Sequence, residues 1–139
     1  MNIFEKCRYL HDAINDDLEE IERLKRLAKT IPTADPSKEF IGGAFSSGAR
    51  YTELIHKAMD IESTLLDMVD ARLDCEREIY NILNQLDDID PLGALVLRKF
   101  YIQDMTAKDI AIQLNFSERY IQDIKSRAIG KCEKLHTAS

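Results

Sequence analysis

From Ile3 onward apolar residues recur at alternating intervals of four and three, through Cys7, Leu10, Ile14, Ile21, Leu24, Ala28 and Ile31, with Asp17 the one polar member of the series. That spacing keeps one stripe of an α-helix apolar and predicts a long helix with a heptad seam. Glu19 and Arg23, and Glu22 and Arg26, stand four residues apart and support its exposed side. Pro32 and Pro36 end it. Residues 32–49, with those prolines, Gly42-Gly43, Ser46-Ser47 and Gly48, read as a loop or linker. A second long series follows through Ala58, Ile61, Leu65, Met68, Cys75, Ile79, Ile82 and Leu86, with Arg72 as its polar member. Leu66, Val69, Leu73, Tyr80 and Leu83 widen this stripe, which gives the second helix apolar surface for more than one partner.

The two polar exceptions suggest a register. An antiparallel pairing that sets Asp17 opposite Arg72 also sets Ile3 opposite Leu86, Leu10 opposite Ile79 and Leu24 opposite Leu65. A slip of one heptad would leave both charges unpaired among apolar neighbours. The expectation is an Asp17–Arg72 pair that fixes the alignment.

After Leu86 the pattern changes. Asp90 can cap a helix whose first residue is Pro91, Thr106 and Asp109 have the spacing of a capping box, and Ser117 followed by Glu118 is a further helix start. Between them Asn115 suits the left-handed conformation that ends a helix. The expected helices run from about Pro91 to Ile102, from Ala107 to Leu114 and from Glu118 to about Leu135. The fold class is therefore all-α: residues 1–88 form a long antiparallel helical hairpin, coiled-coil-like and suited to oligomerisation, and residues 89–139 a three-helix module.

Ile110, Ala111, Leu114, Ile121, Ile124 and Ala128 would face one another across the tight turn, which is the pattern of a helix-turn-helix. With Ile121, Ile124 and Ala128 inward, a step of about 100° per residue turns Arg119, Gln122, Asp123 and Ser126 outward. Such a set can read a major groove. Arg pairs with guanine O6 and N7, Gln with adenine N6 and N7, Asp accepts from cytosine N4, and Ser adapts to either edge. Ser117, Arg127 and Lys134 are placed to hold phosphates along the backbone.

Composition changes this picture in one respect. The 139 residues carry 19 Lys plus Arg and 25 Asp plus Glu, for a formal charge of −6, which argues against a nucleic-acid partner until the charge is divided. Residues 1–87 hold 11 bases and 18 acids, and residues 88–139 hold 8 bases and 7 acids. The acidity belongs to the first part, and the C-terminal part can approach phosphates. No apolar stretch is long enough to span a bilayer and no leader pattern opens the chain, so the expected location is the cytoplasm. Cys7, Cys75 and Cys132 are odd in number and widely spaced, as expected of reduced, buried thiols.

The run Leu97-Arg98, Tyr101-Ile102, Met105-Thr106, Asp109-Ile110-Ala111 and Leu114 to Arg119, with Ile121, Ile124, Ala128 and Leu135, resembles the region-4 helix-turn-helix of sigma factors. The chain is similar over most of its length to small phage and prophage regulators of Gram-positive bacteria, which join such a module to an N-terminal helical hairpin. The resemblance implies a double-stranded DNA-binding transcriptional regulator acting on phage late genes in a bacterial host. Three positions depart from the pattern: Asp104 where Gly is common, Ala107 where a bulky aromatic is frequent, and Asp123 where a base often sits.

Other functions fit less well. The acids Asp16, Asp17, Glu19, Glu20 and Glu22 wrap around a helix instead of converging as a nuclease site would require. Cys7 with His11 and Cys132 with His136 could supply zinc ligands only if the two termini met. No phosphate loop or nucleophile motif is present, and neither an enzyme nor a cofactor is expected. An RNA polymerase-binding adaptor and the DNA-recognition subunit of a phage packaging machine remain open alternatives. A single recognition helix covers few base pairs, so a homodimer or higher homo-oligomer through residues 50–86 is expected.

Overall fold

A computed structural model describes residues 2–30 and 42–138, and side chains within residues 2–30 and 48–135. It is all-α. Five helices follow one another among the described residues: α1 (Ile3–Thr30), α2 (Gly42–Asp87), α3 (Pro91–Tyr101), α4 (Ala107–Leu114) and α5 (Glu118–Ala138). None of them is long and apolar enough to cross a membrane.

The apolar series predicted both long helices, but α2 begins earlier than expected. Residues 42–49, read above as loop, are its first turns. Gly and Ser disfavour a helix by at most about 1 kcal/mol each, which a continuing helix overrides, whereas proline blocks it outright. The remainder of the expected loop lies outside the described residues.

Two compact units divide the chain, one of residues 1–11 and 71–139, the other of residues 12–70. The division therefore does not fall at residue 88. The end of α2 belongs with α3, α4 and α5 because Ile79, Leu83 and Leu86 are fully buried, as are Leu97, Ile110 and Ile121. The start of α1 belongs there as well. Phe4 stacks against Tyr101 with ring centroids 5.1 Å apart, and the Cys7 thiol donates to the Tyr101 carbonyl at 3.3 Å.

Within this unit Arg72 departs from the expected pairing with Asp17. Its guanidinium is committed elsewhere: Nε donates to Glu76 at 3.0 Å, and Nη2 donates to both carboxylate oxygens of Asp104, at 3.0 and 2.9 Å, and to the Tyr101 carbonyl at 3.2 Å. Arg72 is only 8% exposed. A charge so far from water is held by partners on several sides, and three of its contacts are to carboxylate oxygens. His11 Nδ1 lies 3.1 Å from the same Asp104 carboxylate.

In the unit of residues 12–70, Ile21, Leu24, Ala28 and Ala58 are buried, and Lys25 of α1 meets Glu62 of α2 at 2.9 Å. The expected register would have placed Lys25 opposite Thr64.

Candidate nucleic-acid interface

Three capped helices build the candidate surface. Asp90 opens α3 by accepting from the Gly93 amide at 3.0 Å, and its second oxygen accepts from Lys131 Nζ at 2.9 Å. The lysine and this amide hold the Asp90 carboxyl below its ordinary pKa, the lysine contributing most. Gly93 sits where α3 approaches α5 closely: a Cβ there would run into the Asp90 carboxylate and come within 2.9 Å of the Ala128 methyl. Thr106 opens α4 by accepting from the Asp109 amide at 3.2 Å, as the capping-box spacing predicted.

The turn that follows is tight. Asn115 takes φ 60°, in the left-handed region, and the Phe116 amide returns to the Ala111 carbonyl at 3.0 Å. Ser117 then opens α5, its hydroxyl accepting from the Tyr120 amide at 3.1 Å. Helices α3, α4 and α5 pack on one another. Ile121 and Ala128 are fully buried and Ile124 nearly so, which fixes the rotation of α5 about its own axis.

That rotation leaves every site residue expected from the sequence at the surface. Ser117, Arg119, Gln122, Asp123, Ser126, Arg127 and Lys134 are all exposed. Arg119, Gln122, Asp123 and Ser126 share one face of α5, because steps of three, four and seven residues return to the same side of a helix. Arg127 lies toward Asp90 and Lys131, beside Tyr120, around a small pocket. Lys134 stands two turns further along.

Sequence reasoning missed a second group on the opposite edge of this face. An open pocket of about 260 Å³ is lined by Phe100, Thr106, Gln122, Lys125 and, from α1, Arg8. Arg8 Nη1 donates to the Phe100 carbonyl at 3.3 Å, and Lys125 Nζ sits 4.9 Å from the centroid of the Phe100 ring. Lys125 could have been found from the basic composition of α5. Arg8 could not, since 92 residues separate it from Phe100. Apolar side chains are also exposed on α4, in the turn and on α5: Ile112 is 69% exposed, and Phe116 and Tyr120, both part-exposed, meet edge to face at 4.9 Å.

Among the described residues no group of three or more His, Cys, Asp and Glu side chains could hold a metal ion. Cys7, Cys75 and Cys132 are free and buried. Burial pushes the Cys7 and Cys132 thiols up to about 11. The side chain of His136, which with Cys132 could have supplied zinc ligands, lies outside the described residues.

No curated protein and no solved structure matches the chain. One family model does, described as a protein of unknown function and designated DUF1492, over residues 41–133. The match takes in the whole of α2, α3 and α4, with Arg72, and the candidate face of α5. The chain belongs to this family.

Proposed function

We propose that the protein is a sequence-specific double-stranded DNA-binding transcriptional regulator of phage or prophage type, acting in the bacterial cytoplasm as a homodimer or higher homo-oligomer. It is a binding protein and not an enzyme. The observation that carries this reading is the outward face of α5, where Arg119, Gln122, Asp123 and Ser126 stand exposed opposite a buried Ile121, Ile124 and Ala128. A short helix, a left-handed Asn turn and a longer helix that displays hydrogen-bonding side chains together support a helix-turn-helix whose α5 enters a major groove. Arg119 and Gln122 contact base edges, with Asp123 and Ser126 beside them. Ser117, Arg127 and Lys134 contact the backbone. The resemblance to sigma region 4 and to phage late-gene regulators points the same way.

The exposed Ile112, Phe116 and Tyr120 favour a second reading. An apolar group beside a helix-turn-helix suits a protein partner, which is what an RNA polymerase adaptor or a packaging subunit requires.

Selection of bound fragments from a random duplex library, at low and at physiological salt, separates the two. Under the first reading the protein enriches a two-fold-related motif and Arg119→Ala relaxes one base position, at a loss of about 1 to 3 kcal/mol for a bidentate contact. Failure to enrich any sequence at either salt overturns it in favour of a protein partner.

A further inference from the structure

Two cations meet at the Phe100 pocket without a carboxylate between them. Lys25, Arg72, Arg98 and Lys131 are all ion-paired, whereas neither Arg8 nor Lys125 makes a salt bridge among the described residues. Glu5, three residues before Arg8 on the same helix, is not paired with it either. Both cations are half-buried, and both are positioned by one residue: Arg8 by the Phe100 carbonyl and Lys125 by the Phe100 ring. An arginine fixed by one hydrogen bond keeps most of its five donors for another acceptor. Two like charges brought to one concave surface repel unless an anion lies between them. The same pocket is lined by Gln122 and Thr106.

We infer that Arg8 and Lys125 form a phosphate clamp, which takes a backbone phosphodiester of duplex DNA next to the bases that Gln122 contacts. This rests on the DNA-binding reading above and extends it, because Arg8 comes from α1, outside the three C-terminal helices. The clamp reads no sequence, and its role is to set the depth and angle at which α5 enters the groove. It also makes the start of α1 part of the DNA-binding surface, within a compact unit that already includes it.

The experiment measures binding of the full-length chain to a random-sequence duplex and to the selected motif across a series of salt concentrations. Each neutralised phosphate contributes about 0.9 to the slope of log affinity against log salt. Arg8→Gln and Lys125→Gln should each lower that slope by about one unit and weaken both duplexes by the same factor. Arg8→Lys, which keeps the charge but not the planar guanidinium, should retain the slope. An unchanged slope in both glutamine variants, with helicity intact by circular dichroism, overturns the clamp. So does an Arg8→Lys variant as impaired as Arg8→Gln, since the role would then be the bond to the Phe100 carbonyl. If Arg119→Ala abolishes motif selection while the glutamine variants keep the full slope, the DNA-binding reading stands and the clamp alone falls. If the wild-type protein binds no duplex, both fall.

Discussion

In the unit of residues 1–11 and 71–139, Ile79, Leu83, Leu86, Leu97, Ile110 and Ile121 are sealed from solvent. In the unit of residues 12–70, the buried apolar side chains among the described residues are Ile21, Leu24, Ala28 and Ala58, while Leu18, Leu27, Tyr51, Met59, Leu66 and Val69 stand exposed. Full burial of a large apolar side chain contributes about 1.5 to 3 kcal/mol, so the first unit has a core of its own even though Leu73, Ile89 and Ile112 are exposed on it, whereas the described residues of the second bury few large apolar side chains. The polar groups divide in the same way. The first unit holds a charged residue deep inside, with partners from separated parts of the chain, and among the described residues of the second the ion pairs lie at the surface. A region with its own core suits precise presentation of side chains to a ligand. A region with spare apolar surface suits assembly.

The largest expected loss in the first unit is at Asp104. It takes φ 56°, in the left-handed region, and both of its carboxylate oxygens accept from Arg72 Nη2. Asp104→Ala leaves a buried guanidinium short of its carboxylate, and the expected loss is about 3 kcal/mol. Asp104→Gly should recover about 1 kcal/mol of that, since glycine adopts a left-handed backbone without a Cβ clash. Urea unfolding followed by circular dichroism checks both. A loss near zero in the alanine variant would mean that the Arg72 cluster does not secure the first unit.

Gly93→Ala tests the same core with a single methyl group. The added Cβ runs into the Asp90 carboxylate and meets the Ala128 methyl at 2.9 Å, so α3 must move away from α5. Overpacking of this kind costs about 1 to 3 kcal/mol. The movement would also disturb the Asp90 cap, and on the DNA-binding proposal duplex affinity should weaken with stability. Wild-type stability in this variant would show that the α3–α5 approach is looser than the distances imply.

Much of this architecture is legible in the sequence because it is local. Asp90, Thr106, Asn115 and Ser117 act on groups within four residues, and each starts or ends a helix where its side-chain chemistry says it should. The outward face of α5 follows from the apolar spacing of Ile121, Ile124 and Ala128. The partners of Arg72 were not legible: Asp104 lies 32 residues away, and a heptad series offers Asp17 as an equally charged alternative. The departure from glycine at position 104 was visible, but its reason was not. It is a left-handed position, which Asp tolerates better than most residues, and its carboxylate takes up a buried cation.

A gentler probe of the same contrast is alkaline pH. Cys7 and Cys132, both in the first unit, have thiols that burial raises from 9.0 to about 11. A raised folded-state pKa means that stability is full below the unfolded value and declines as pH rises from about 9 toward 11, because the unfolded chain ionises first. Unfolding midpoints measured across this window should fall, and a Cys7→Ala, Cys132→Ala chain should show a shallower decline. An equal slope in both proteins would assign the pH dependence to other groups.

The smallest effect on folding is expected at Leu66, which is 68% exposed in the unit of residues 12–70. An exposed substitution with no buried partner changes stability by at most about 0.5 kcal/mol, so Leu66→Lys should leave the unfolding midpoint of the isolated chain almost unchanged. Its effect on assembly should be larger. Where a side chain is packed against a second copy, a lysine there must bury its charge or keep the copies apart. If residues 50–86 form the oligomer interface, light scattering should show the wild-type mass falling toward that of one chain in Leu66→Lys, and DNA affinity should fall with it because two recognition helices no longer bind together. An unchanged mass would place the interface elsewhere, and a monomeric wild type would leave the exposed stripe of α2 available to a different protein.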